Sequence, residues 1–82
     1  MARSQGRSDR DRLAAILRSS RLAAGLRQAD VAERLGQPQS FVSKYESGER
    51  ALTLVELRDI CQAVGVPLLD IVRRFEDHPG DA

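Results

Sequence analysis

Apolar residues recur along this chain at spacings of three and four, in short runs. Leu13, Ile16, Leu17 and Ala24 line one side of a helix over residues 9–24, the period of an amphipathic helix that packs on a core. Val31, Ala32 and Leu35 do the same over 28–35, and Val42 marks the inward side of a helix over 38–47. Leu54, Leu57, Cys61 and Val64 give a fourth helix starting at Thr53, and Leu68, Leu69, Ile71, Val72 and Phe75 crowd a fifth over 67–75. No run of alternating apolar and polar residues is long enough for a strand. The pattern predicts an all-α fold of five short helices.

The breaks between the runs agree with the pattern. Gly25, Gly36, Gly48 and Gly65 each follow an amphipathic stretch; a glycine there ends a helix in the left-handed conformation at no Cβ cost. Ser8 is the expected N-cap of the first helix, with Asp9 and Asp11 in its first turn, where the helix dipole favours negative charge. Pro38 and Pro67 are expected as first helical residues, and Thr53 with Glu56 reads as a capping box. Residues 1–8 are expected as a flexible arm, 9–75 as the folded domain, and 76–82, with Pro79 and Gly80, as a frayed tail.

With 82 residues the chain makes one small domain, and the absence of Trp, with one Tyr and two Phe, leaves the core to Leu, Val, Ile and Ala. No stretch approaches the roughly 18 apolar residues of a membrane span. No apolar run follows the basic N-terminus, and one cysteine cannot form an internal disulfide; a cytoplasmic protein is expected. Net charge is +1, but residues 1–50 hold ten Arg and Lys against six Asp and Glu, whereas 51–82 hold three against six. The first part is thus +4 and the second −3, so the basic part would face a polyanion. Cys61 falls on the apolar stripe of the fourth helix, as a small core residue does. His78 is the only histidine and lies in the tail. With no nucleophile–base pair and no metal cluster in the sequence, no enzyme activity, cofactor or metal is expected, and no small-molecule effector is evident.

The informative segment is RQADVAERLGQPQSFVSKYESGER, Arg27 to Arg50. Two short helices meet at Gly36. Ala32 sits where they must cross, since a larger side chain would hold them apart, and Val42, six residues after Gly36, faces back into the core. This small–glycine–aliphatic spacing is the steric signature of a helix-turn-helix.

On these residues the chain resembles the phage-repressor and Cro type of helix-turn-helix domain, the XRE family. The similarity runs from about Leu13 to Val72, and PQSFVSKYESGER is especially like members of that family. The resemblance implies a compact five-helix, lambda-repressor-like DNA-binding domain, with helix 3 in the major groove of double-stranded DNA and helix 2 crossing above the backbone. Gln28 matches the family glutamine that binds phosphate at the start of helix 2, a natural anion site. Gln39, Ser40, Ser43 and Lys44 match the outward, base-reading positions: Gln39 can pair with adenine and Lys44 can donate to guanine. Arg21 and Glu46 match an ion pair that fixes the recognition helix, and Arg21, Arg27 and Arg50 are candidates for phosphate. Arg27 replaces the usual capping residue, Pro38 a hydroxyl residue, and Glu49 a position where many members carry a cation. Phe41 either lies beside the DNA or packs toward Tyr45. Arg3, Arg7 and Arg10 either form an arm on DNA or a plain tail.

The fifth helix carries more apolar surface than a single stripe requires. Leu68, Ile71, Val72 and Phe75 share a face and Leu69 lies beside it. Helices 1 to 4 already supply a core, and an apolar excess on a small domain marks an interface. The resemblance points the same way, so a homodimer through helix 5 is expected, with Leu69 and Phe75 carrying the contact and Leu68, Ile71 and Val72 shared with the core. The function expected is a transcriptional regulator on a palindromic operator. The alternatives are an antitoxin or restriction-system controller using the same domain, and a protein-interaction module that no longer binds DNA.

Overall fold

The computed structural model describes residues 2–77, with side chains from residue 8 onward. Five helices follow one another: α1 (Ala2–Ala23), α2 (Gln28–Leu35), α3 (Gln39–Glu46), α4 (Leu54–Val64) and α5 (Leu68–Glu76). Among the described residues there is no strand, and no helix is long and apolar enough to cross a membrane. Each helix sends its apolar stripe to one shared core: Leu17 from α1, Val31 and Ala32 from α2, Val42 and Tyr45 from α3, Leu57, Ile60, Cys61 and Val64 from α4, and Ile71 from α5. Each fully buried aliphatic side chain contributes about 1.5–3 kcal/mol relative to exposure. The principal packing pairs close a ring, in which α1 meets α3, α3 meets α2, α2 meets α4, α4 meets α5 and α5 returns to α1.

Polar bonds reinforce that closure. Arg12 of α1 donates to the Phe75 carbonyl and lays its guanidinium 4.6 Å from the centre of the Phe75 ring. Arg74 of α5 donates to the Ser20 hydroxyl at 2.9 Å. The helix ends are capped locally. Thr53 Oγ1 accepts from the Glu56 amide at 3.1 Å, and the Glu56 carboxylate accepts from the Thr53 amide at 2.9 Å, the capping box read from the sequence.

Several expectations need correction. Helix α1 begins at Ala2, not Asp9, so Ser8 lies within it and caps nothing, and the arm expected over 1–8 continues the helix from Ala2. A buried stripe dictates only the packed part of a helix, and no proline interrupts the residues before it. Ala24 lies past the end of α1 and is exposed. The buried side of α1 is Ala14, Leu17, Ser20 and Arg21. In α4, Leu54 is exposed and Ile60 is the buried residue that the apolar pattern had left out. The first residue of a helix has no turn before it to cover its side chain, and 57, 60, 61 and 64 keep the helical period. Pro38 and Pro67 are N-caps rather than first helical residues, with extended ψ of 155 and 139. Their carbonyls accept the first helical bonds, from Phe41 and Asp70.

On α5, Ile71 is 1% exposed and belongs wholly to its own core, so it cannot be shared with an interface. Leu68 is half-buried on the same core, and Phe75 is half-buried and screened by Arg12. The outward pair is Leu69 at 67% and Val72 at 37% exposure, three residues apart on one side. Of the tail expected over 76–82, Glu76 ends α5, while residues 78–82, with His78, lie outside the described residues.

Candidate nucleic-acid interface

Gly36, Gln37 and Pro38 alone separate α2 from α3. Gly36 takes φ 67, and the Gln37 amide returns to the Ala32 carbonyl at 3.0 Å, so the chain reverses within three residues. Ala32 is 4% exposed and Val42 is fully buried, as the crossing of two helices at a small residue requires. Tyr45 sits next to Val42 in the core. Its burial pushes the phenol well above its ordinary pKa, with the Glu46 charge adding to the effect. Phe41 packs toward Tyr45, the rings meeting edge to face at 5.4 Å and 73°.

With that side of α3 turned inward, Gln39, Ser40, Ser43 and Lys44 all emerge into solvent. They share the outward face because 39 and 43, and 40 and 44, stand four apart on the helix, and 40 and 43 stand three apart. Lys44 makes no ion pair among the described residues.

A chain of polar contacts runs behind this face. Arg21 donates through Nε to Glu46 Oε2 at 2.7 Å, through Nη2 to Glu46 Oε1 at 2.9 Å, and through Nη1 to the Leu26 carbonyl at 2.9 Å. The two side chains are 9% and 3% exposed. The carboxylate holds the guanidinium charged, above its ordinary pKa. Gln28 Nε2 donates to Glu46 Oε1 at 3.1 Å, and Gln39 Nε2 donates to Gln28 Oε1 at 3.3 Å. The end of α1, the starts of α2 and α3, and the end of α3 are thereby tied together. Of the residues predicted for the site, Arg21, Glu46, Gln28 and Gln39 are linked in that order.

The three arginines expected at phosphate are each engaged by the protein. Arg21 is buried in the ion pair, with all three guanidinium nitrogens donating, so it acts as a clamp and is not open to the surface. Arg27 remains outside but pairs with Asp30 at 2.8 Å. The Asp30 carboxylate also accepts from the Arg27 backbone amide at 2.8 Å, which supplies the start of α2 with the anion that Arg27 cannot provide. Arg50 pairs with Glu56 at 2.9 Å and covers the Phe41 ring at 4.8 Å; its hydrogen bonds hold the Glu56 carboxyl below the ordinary range. Glu49 is exposed. Asp30 and Glu56 were not singled out from the sequence as partners of these arginines, although the spacing of three between Arg27 and Asp30 was a visible signal.

Comparison with known proteins agrees with this geometry. A family model described as helix-turn-helix matches residues 17–71. An uncharacterized HTH-type transcriptional regulator of Sinorhizobium fredii, y4dJ, is 34% identical over 55 residues, which are 67% of this chain and 71% of the relative. Among solved structures, an XRE-family like protein from Pseudomonas syringae pv. tomato superposes with a TM-score of 0.85 at 36% identity, covering 92% of both chains. The restriction-modification controller protein C.AhdI from Aeromonas hydrophila gives 0.74 at 28% identity, covering 78% of this chain and 97% of its own. The clp gene regulator ClgR of C. glutamicum gives 0.78 at 26% identity, covering 83% and 88%. The chain belongs to the XRE-type helix-turn-helix family of DNA-binding transcriptional regulators.

Proposed function

We propose that the protein binds a palindromic operator as a homodimer, with α3 of each copy in the major groove. The observation that carries this reading is the division of α3: its inward side is locked by Val42, Tyr45 and Glu46, and its outward side offers Gln39, Ser40, Ser43 and Lys44. Gln39 suits adenine, Lys44 suits guanine O6 and N7, and the serines reach base edges or phosphates. Gln28 and the first amides of α2 form a phosphate seat, flanked by Arg27 and, further along, Arg50. The exposed pair Leu69 and Val72 supports pairing through α5, which would set the two α3 helices roughly 34–36 Å apart. Selection of sites from random duplex DNA by the purified protein tests the whole reading. A two-fold symmetric consensus is expected, and an unenriched pool refutes it. Leu69→Glu should sediment as a folded monomer, and a parent protein already monomeric at tens of micromolar, roughly the range of a weak dimer, removes the dimer.

The likeness to C.AhdI over nearly all of that chain favours a second reading, control of a restriction-modification operon. An enriched site lying upstream of genes of that kind, or of unrelated genes, separates the two.

A further inference from the structure

Arg27 has the most exposed guanidinium of the three arginines at this face, with 80% of its side chain accessible against 9% for Arg21 and 40% for Arg50. It is nevertheless occupied. Asp30 Oδ1 accepts from Nη2 at 2.8 Å, and Oδ2 accepts from Nε at 3.2 Å and from the Arg27 backbone amide at 2.8 Å. That backbone amide lies immediately before α2, whose first amides have no carbonyl four residues back to receive them. An anion at a helix start, held in an arginine fork, is the arrangement a DNA phosphate would make at the same place. The hydrogen bonds from Arg27 hold the Asp30 carboxyl down to about 2, so the carboxylate is present throughout the neutral range.

We propose that Asp30 is a built-in stand-in for phosphate, which keeps Arg27 engaged inside the protein during loose encounters with DNA and so restrains binding to non-operator sequences. This rests on the DNA-binding reading above. The consequence follows from counterion release. A neutral Arg27–Asp30 pair displaces few ions from a duplex, whereas an unpaired arginine displaces about one. When a phosphate takes the guanidinium, it must also leave a carboxylate unpaired beside itself. Exchange is therefore favourable only where other contacts, such as those of Gln39 and Lys44 with the right bases, seat α2 firmly. Asp30 thereby raises the ratio of operator to non-operator affinity.

Asp30→Asn tests this, because the amide oxygen can still accept from the Arg27 backbone while the charge is lost. Binding to a mixed-sequence duplex is measured across a salt series for the parent, Arg27→Ala, Asp30→Asn and the double variant, with melting curves to establish folding. Asp30→Asn should steepen the slope by about 0.9 log unit per decade of salt, which is roughly eightfold in affinity for each tenfold dilution. Arg27→Ala should leave the parent slope almost unchanged yet abolish the extra slope in the Asn background. Equal effects of Arg27→Ala in both backgrounds would mean simple charge repulsion and overturn the proposal, as would an unchanged slope for Asp30→Asn. Should that variant fail to fold, Asp30→Ser, which also offers an acceptor oxygen, decides in its place. A parent protein with no salt-dependent affinity for any duplex would instead sink the DNA-binding reading, and the role of Asp30 with it.

Discussion

The two sides of α3 are committed to different tasks. On the inner side Val42 and Tyr45 are buried and the Glu46 carboxylate is bound bidentately by Arg21. On the outer side Gln39, Ser40, Ser43 and Lys44 stand in solvent. Eight residues thus hold both a structural half and a solvent-facing half, the one proposed above to read DNA. The difference teaches that the helix is aimed by contacts on its buried side, which leaves the side chains of its outer positions unoccupied by the core.

Substitutions can break or sharpen this division. The largest effect is expected at the clamp. Glu46→Ala leaves a buried guanidinium unpaired and should cost about 3–5 kcal/mol of stability, with Arg21→Ala similar. The double variant should lose less than the sum, measured by urea unfolding; strict additivity would mean that the pair does not act as a unit. Next comes Val42→Ala, which removes two buried methyl groups and leaves a cavity, for about 2–3 kcal/mol. If Val42→Ala instead altered sequence preference at unchanged stability, the inner side would be reading DNA and the division would fail.

On the outer side, Gln39→Ala and Lys44→Ala should each weaken binding to the selected site by about 1–3 kcal/mol while stability moves by less than about 0.5 kcal/mol. Band-shift titration beside thermal melting separates the two quantities. Lys44→Ala should relax preference at one base position in each half-site. Smallest of all, Ser40→Ala and Ser43→Ala should change affinity by no more than about 1 kcal/mol, the scale of one neutral hydrogen bond. A larger loss at either serine would move the centre of recognition away from Gln39 and Lys44.

The sequence showed the architecture well because helix periods and end signals are local. Thr53 with Glu56, and the glycines at 36 and 65, ended or started helices where they were read. It showed the clamp because Arg21 and Glu46 occupy positions that match the family. What it hid were pairings and directions. Arg27, Arg21 and Arg50 are the same residue type, yet one is exposed and paired with its helix neighbour, one is buried, and one is laid over Phe41. For Arg50 only the assembled fold decides that Glu56 is the carboxylate it meets. Leu69 and Ile71 are two apolar residues two positions apart on one helix, and their exposure differs from 67% to 1%; the helical angle between them was known, but the side that faces the core depends on where α4 and α1 lie. The early start of α1 is not legible in the sequence because a buried stripe marks only the packed part of a helix.

The ring of helices has a mechanical consequence. Helix α3 rests on α1 and α2, and α5 rests on α1 and α4. Helix α1 packs on both, and Arg12 and Ser20 fasten it to α5. In a dimer joined through α5, α1 would be the strut that transmits the position of the joint to the reading helix. The spacing between half-sites that the protein prefers would then be written in the fastenings of α1, at residues that meet neither DNA nor a second copy.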